Sequence, residues 1–77
     1  MFNVNDLLII AKNEINYVNV GETFLLKELF KGYEWNRIKI SDRLLLGTLF
    51  LNYVNTNPDK IIASQKTSSN QQKYKRI

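Results

Sequence analysis

The order of apolar and polar residues predicts a helix, a strand and a second helix in the first half of the chain. Apolar residues recur at every third or fourth position between about residues 5 and 18, behind a capping asparagine at position 3 or 5. Thr23–Leu25 is a short β-prone run and predicts a brief strand. Helical spacing returns in residues 26–30, and the Lys31-Gly32 pair is a typical helix stop. We therefore expect a short second helix.

The middle of the chain predicts a turn followed by the longest helix. Residues 33–38 are compact and aromatic, and we expect a turn or one helical turn that packs Trp35 beneath the domain. Ser41 and Asp42 form a good helix start, because a capping side chain satisfies free amides and an acid lies at the positive end of the helix dipole. The helix is expected to span residues 41–55 and to be apolar except along one narrow sector, formed by Ser41, Thr48, Asn52 and Asn55.

The end of the chain predicts a β-hairpin. Pro58 stops the long helix, since proline cannot continue a helix and pushes its predecessor out of the α region. The β-branched residues Ile61 and Ile62 begin a strand, residues 66–71 form a polar tip, and a second strand ends in Lys-Tyr-Lys-Arg at 73–76. Residues 61–77 are therefore interpreted as a basic hairpin.

The predicted order of elements is helix, strand, helix, helix, strand, strand. This order is that of the winged helix-turn-helix, in which the first strand joins the terminal hairpin in a small antiparallel sheet. We therefore predict an α+β fold, with residues 1–77 forming one winged-helix domain and residues 61–77 forming its basic wing.

Three short motifs carry a resemblance to a known group of proteins. They are F-L-L-K-E-L-F at residues 24–30, E-W-N at 34–36 and R-L-L-L-G at 43–47. Residues 22–56 resemble a family of small, mostly uncharacterised bacterial winged-helix proteins, and the chain is similar to winged-helix accessory proteins that bind plasmid transfer origins during conjugation. The resemblance implies a fold and a link to mobile elements, and it supplies no catalytic residue.

Charge is divided unevenly along the sequence. Residues 1–34 hold three lysines and five carboxylates, net −2, whereas residues 35–77 hold eight cations and two carboxylates, net +6. A polyanion is therefore expected to bind the second half of the chain. The alternative is that the lysines only keep a hairpin soluble.

The long helix carries no cation in its predicted exposed sector, although a winged helix usually places this helix in the major groove. Asn52 is a candidate reader of adenine, and a plain solvated helix face is the equal alternative. We therefore expect the wing to carry most of the affinity, with its tip in a groove and its lysines on flanking phosphates. The candidate DNA-binding residues are Arg37, Lys39, Ser41, Arg43, Thr48, Asn52, Lys66, Thr67, Ser68, Ser69, Asn70, Gln71, Lys73, Lys75 and Arg76.

The residue types argue against catalysis. The chain has no histidine and no cysteine, and its three glycines are isolated, so it offers neither a usual base or nucleophile nor a phosphate loop. We expect no enzymatic activity, no cofactor and no metal. No signal-peptide pattern and no long apolar segment are present in the sequence, so we expect a cytoplasmic protein without membrane attachment.

Two function classes follow from these observations. The first is a sequence-preferring double-stranded DNA-binding protein of a bacterial mobile element, either an accessory, relaxosome-type factor at a plasmid transfer origin or a small transcriptional regulator. The alternative is a winged-helix protein-interaction or inhibitor module that does not bind DNA. The long helix has more apolar residues than one small core can cover, which favours a homodimer, and other DNA-processing proteins are further candidate partners.

Overall fold

Three α-helices and a three-stranded antiparallel sheet make up the structure, a computed structural model that describes residues 3–77. The α+β class predicted from the sequence is confirmed. The helices are α1 (Val4–Glu14), α2 (Gly32–Arg37) and α3 (Ile40–Asn55), and the strands are β1 (Thr23–Leu25), β2 (Ile61–Lys66) and β3 (Gln72–Arg76). No helix within residues 3–77 is long and apolar enough to cross a membrane.

Helix α1 begins where the asparagine cap predicted it. The Asn3 side-chain oxygen accepts a hydrogen bond from the Asp6 backbone N–H at 2.9 Å, which satisfies one of the amide donors left free at a helix start. The helix continues beyond Glu14 as a short 3₁₀ helix, Ile15–Tyr17. The helical segment therefore ends within one residue of the predicted position 18.

The second helix differs from its prediction. Residues 26–30 do not form an α-helix: Leu26–Leu29 is a single 3₁₀ turn, and the Glu28 carboxylate accepts the Leu25 backbone N–H at 2.7 Å. Phe30 is extended, so the helical backbone is interrupted there. Gly32 then starts α2 instead of stopping a helix.

The physical reason lies in the backbone conformation of the glycine. A glycine that ends a helix usually adopts a positive φ, and within residues 3–77 only Gly21 and Asn70 do so. The predicted helical turn at residues 33–38 is confirmed as α2, and its Trp35 ring packs on Phe30 with the ring centroids 5.7 Å apart. Gly32 therefore does not end a helix, and α2 packs on Phe30 through the Trp35 ring.

The start of α3 also differs from its prediction. The helix begins at Ile40 with Lys39 as its N-cap, and no side chain caps its free amides. Ser41 therefore lies inside the first turn and is not the cap, whereas Asp42 lies in the first turn as expected. The predicted helix end at Asn55 is confirmed.

The sheet places β3 in the centre, with the strand order β1-β3-β2. Phe24 of β1 and Ala63 of β2 both pair with Tyr74 of β3, so the first strand joins the terminal hairpin as predicted. The pairing of β2 with β3 is irregular after Ala63, where two residues of β2 stand opposite one residue of β3. This bulge lies next to the hairpin tip.

The core lies between α1, α3 and one face of the sheet. Its centre is Phe50 of α3, which is fully buried and contacts Tyr74 edge to face at 4.9 Å. Eleven buried apolar residues form the cluster: Leu7, Ala11, Ile15, Phe24, Leu26, Leu29, Leu46, Phe50, Val54, Ile61 and Tyr74. Alternation along β3 turns Tyr74 to this core, so the neighbouring lysines face the other way.

Candidate nucleic-acid interface

The terminal hairpin, which we call the wing, is the most uniformly basic part of the chain. Its residues 61–77 contain Lys66, Lys73, Lys75 and Arg76 and no carboxylate. Lys66 and Lys75 are exposed, while Lys73 is half-buried. The wing therefore presents positive charge that no acidic residue of its own neutralises.

The tip of the wing is a closed turn. The Thr67 N–H donates to the Gln71 carbonyl at 2.8 Å, and the Asn70 N–H donates to the Thr67 carbonyl at 2.9 Å. Asn70 adopts φ +68°, a left-handed conformation that asparagine tolerates better than most residues. The Thr67 hydroxyl accepts the Gln71 N–H and lies 3.0 Å from the Ser69 hydroxyl. The exposed side chains at the tip, those of Ser68, Ser69, Asn70 and Gln71, therefore stand on an ordered backbone.

Two of the wing lysines share the outer face of the sheet. Directly paired residues in a sheet lie on the same face. Lys75 pairs with Thr23 and Ile62, and Lys73 pairs with Leu25. Since Tyr74 between them points to the core, both lysines lie on the face turned away from α3. The Cα atoms of the two lysines therefore lie about 7 Å apart along the strand.

Arg76 is the wing cation that is held most firmly by the fold. Its guanidinium donates to the carbonyl of Lys60 at 2.9 Å and to the carbonyl of Ile77 at 3.0 Å, and its Nε is buried. Its backbone also bonds the loop before β1, through Glu22 at 3.0 Å and Gly21 at 2.7 Å. Arg76 thus joins the ends of the sheet, and its charge is less accessible than that of the lysines.

The cations near the start of α3 lie in a different environment. Arg37 stacks over Tyr33, 5.0 Å from the ring centroid, and lines a pocket of about 250 Å³ together with Lys39. Glu34 and Asp42 line the same pocket, so two carboxylates lie beside the two cations. The charges that line this pocket therefore balance, unlike those of the wing.

Arg43 is turned toward an aromatic ring. It is half-buried, its guanidinium lies 5.4 Å from the centre of the Trp35 ring, and its Nε is buried without a hydrogen-bond partner. Such a stacked guanidinium stabilises the packing of α2 against α3. Of the three cations predicted near the helix start, Lys39 is the one that combines exposure with no ring contact among the described residues.

A groove of about 430 Å³ separates α3 from the wing tip. Lys66, Asn70 and Gln71 line its wing side, and Thr48 lines its helix side. The fold therefore brings these four predicted residues together, and it places Arg37 and Lys39 in the other pocket. Lys27 also lines the groove. Sequence reasoning missed Lys27 because it belongs to the acidic half of the chain.

The outward face of α3 contains the predicted polar sector. Thr48, Asn52 and Asn55 are exposed, as is Ser41, although the Thr48 hydroxyl donates to the Leu44 carbonyl at 3.2 Å. Two leucines accompany them: Leu44 is 70% exposed and Leu45 is 49% exposed. The exposed side of α3 is thus wider than the predicted polar sector, and it includes apolar side chains.

No cluster of three or more potential metal-ligating side chains occurs within residues 3–77. Burial raises the pKa of Tyr74 above its usual 10.0, since desolvation disfavours the phenolate. This tyrosine therefore serves the core as a neutral side chain.

Comparison with known proteins gives a family without an assigned role. Residues 10–76 match the family described as Domain of unknown function (DUF1413), and the chain belongs to that family. No curated protein matches the chain. No solved structure matches it either.

Proposed function

We propose that the chain is a winged helix-turn-helix protein that binds double-stranded DNA, mainly through its wing. The element order and the strand order β1-β3-β2 support the winged-helix assignment, since that fold pairs its first strand with the terminal hairpin. We assign it to the DNA of a bacterial mobile element in the cytoplasm, as an accessory factor at a transfer origin or as a small transcriptional regulator, and we assign it no catalytic role.

One observation carries this proposal: the wing combines exposed lysines with an ordered polar tip and contains no carboxylate. Phosphate contacts from lysines supply affinity and fix the register of a protein on the duplex. Serine, asparagine and glutamine at the tip offer hydrogen bonds to base edges or the sugar-phosphate backbone. In this arrangement the tip enters a groove while Lys66, Lys73 and Lys75 lie along the flanking phosphates.

The experiment is a titration of a labelled duplex with the protein at 50 and 200 mM salt. With phosphate contacts from these three lysines, the affinity should fall roughly fortyfold between the two conditions. A transfer-origin fragment should retain an advantage over a scrambled duplex of equal length at the higher salt. Absence of any complex at 50 mM salt would refute the DNA-binding proposal.

A second candidate function, a protein-interaction module, is favoured by one observation. The exposed face of α3 is uncharged and carries Leu44 and Leu45, which suits a protein surface better than a phosphate backbone. In that case the acidic first half of the chain would contribute to partner choice. Retention of a partner by a chain that forms no DNA complex would support this second function.

A further inference from the structure

One stripe of α3 lines the groove that separates this helix from the wing tip. It consists of Leu44, Gly47, Thr48 and Leu51, which we call the groove stripe. Their spacing of three and four residues places them on the same side of a helix. The fully buried residues of α3 form a neighbouring stripe that packs in the core. The long helix therefore has one apolar stripe for the core and a second, beside it, that lines the groove.

Gly47 lies in the middle of the groove stripe, where the fold itself does not require a glycine. Inside a helix, glycine is less favourable than alanine because it loses more conformational freedom on folding. A Cβ atom built on Gly47 would meet no atom of the surrounding structure within 4 Å. Alanine would therefore fit this position and stabilise α3. The open space over Gly47 is explained if another molecule approaches the helix backbone there.

The charged side chains that line the groove are all positive. Lys27 and Lys66 are exposed and line it, and no carboxylate among residues 3–77 does so. Lys27 belongs to the 3₁₀ turn after β1 and Lys66 ends β2, so the two cations come from elements on either side of β3. The other pocket, by contrast, is lined by two cations and two carboxylates. The groove therefore favours an occupant with negative charge.

Nucleic acid matches this groove poorly. Single strands bind by stacking their bases on open aromatic rings. Trp35 and Tyr74 line the groove, but Tyr74 is only 3% exposed and the Arg43 guanidinium already lies over the Trp35 ring. The Thr48 hydroxyl donates to the Leu44 carbonyl, so it has no free proton for a base edge. The groove stripe therefore offers apolar contact instead of base recognition.

A polypeptide segment with aliphatic and acidic side chains combines the two properties that match the groove. Its aliphatic groups would cover Leu44, which is 70% exposed, and remove apolar surface from water. Its carboxylates would pair with the lysines at the rim, which discriminates against a basic segment. The groove volume of about 430 Å³ lies within the range of about 300 to 1,000 Å³ that is usual for ligand sites.

We propose that the groove between α3 and the wing tip binds an acidic segment of another protein. Aliphatic side chains of that segment pack over Gly47, between Leu44 and Leu51. Its carboxylates pair with Lys27 and Lys66. This interaction does not depend on DNA binding, and it gives a surface and a partner chemistry to the second candidate function.

The first test is a selection of short random peptides, displayed on phage, on the immobilised wild-type protein without DNA. The enriched peptides should combine aspartate or glutamate with large aliphatic residues, because the groove is apolar between two cations. A selection that enriches no such peptide would overturn the proposal.

The second test measures the affinity of one enriched peptide, labelled for fluorescence anisotropy, for variants of the groove. Gly47→Leu fills the space over the helix and should weaken binding about tenfold or more. Its urea midpoint should not fall below that of the wild type, since leucine is the better helix former. Asn55→Leu is the matched control, because it adds the same side chain at an exposed position of α3 outside the groove. Equal affinities of Gly47→Leu and the wild type would overturn the proposal.

The third test concerns charge. Lys27→Glu should weaken binding of the same peptide about tenfold, whereas Lys31→Glu, an identical charge change at an exposed position outside the groove, should have a much smaller effect. Equal losses would indicate general attraction to a basic protein and would contradict the site.

A labelled single strand of DNA tests the competing occupant. The groove should not bind it, so any complex should be equally strong with Gly47→Leu and with the wild type. A complex that Gly47→Leu abolishes would make the groove a nucleic-acid site and overturn the proposal. Because no arm of these tests contains duplex DNA, a failure here is distinguishable from a failure of the DNA-binding proposal.

Discussion

Tyr74 of β3 contacts Phe50 of α3 edge to face, with ring centroids 4.9 Å apart and ring planes at 89°. This contact anchors the wing on the longest helix. Because side chains alternate along a strand, it also decides that Lys73 and Lys75 point away from α3. The basic surface of the wing and the apolar core are therefore two sides of the same strand.

Loss of the Phe50 ring should cost most of the stability of the domain. Phe50 is fully buried, so Phe50→Ala should lower the free energy of unfolding by about 3 to 5 kcal/mol, measured by urea denaturation. Tyr17→Ala is the control, since Tyr17 is 81% exposed, and it should change that free energy by no more than about 0.5 kcal/mol. If Phe50→Ala left the free energy of unfolding nearly unchanged, the core would not be organised around this ring.

The buried phenol should make stability fall at high pH. Burial raises the pKa of Tyr74 in the folded state above 10.0, so the folded chain holds this proton more tightly than the unfolded chain does. The contribution is constant below pH 10 and decreases as the pH rises above it. Urea midpoints measured between pH 8 and 11 should fall more steeply for the wild type than for Tyr74→Phe, which lacks the ionisable hydroxyl. Identical profiles for the two proteins would show that folding does not raise the pKa of the Tyr74 hydroxyl.

The wing lysines should determine both DNA affinity and its salt dependence. Replacing Lys66, Lys73 and Lys75 together with alanine should reduce the slope of log affinity against log salt by about 3, measured by fluorescence anisotropy on a duplex. For single substitutions, Lys75→Ala and Lys31→Ala remove the same charge from two exposed positions. Lys75→Ala, which lies in the wing, should reduce the slope of log affinity against log salt by about 1, and Lys31→Ala should leave it unchanged. Equal effects of the two single changes would indicate general attraction without a defined site.

The left-handed residue at the wing tip should prefer asparagine or glycine. Asn70 has φ +68°, which costs about 1 to 2 kcal/mol for most side chains. Asn70→Val should therefore destabilise the protein in urea denaturation, whereas Asn70→Gly should stay within about 0.5 kcal/mol of the wild type. If valine were tolerated as well as glycine, the tip would not hold this turn in solution.

The cap of α1 can be tested with two neighbouring asparagines. Asn3→Ala removes the side chain that accepts the Asp6 N–H, so it should cost about 1 kcal/mol in urea denaturation. Asn5→Ala changes an exposed position inside α1 and should be neutral or slightly stabilising, because alanine is the better helix former. The opposite order of effects would place the helix start at residue 5.

The segments with local signals were predicted well. The cap and apolar period of α1, the run Thr23–Leu25, the length of α3 and the terminal hairpin all depend on interactions between residues close in sequence. Residues 26–32 were not predicted correctly. The pattern of apolar and polar residues in Leu26–Leu29 is too short to distinguish a 3₁₀ turn from an α-helix. Phe30, which follows the turn, is extended and packs its ring on Trp35.

The candidate site was predictable in composition and not in arrangement. Charge counting along the chain located the wing, and the absence of cations from the polar sector of α3 was evident from its sequence. The sequence did not show which of the basic side chains are exposed and free of contacts with other residues. Arg76 bonds the Lys60 carbonyl and Arg43 stacks on Trp35, and both contacts join residues that are distant along the chain or on different helices.

The sequence by itself determined most of the helices and strands and where the positive charge is concentrated, since periodicity, caps and residue types act locally. Only the tertiary structure decided which basic side chains remain free, that Lys66 and Thr48 share a groove apart from Arg37 and Lys39, and that Leu44 and Leu45 are left outside the core. The physical reason is that burial and contact depend on how α3 and the sheet pack on each other. Composition fixes the number of cations and leucines, and packing fixes which of them face the solvent.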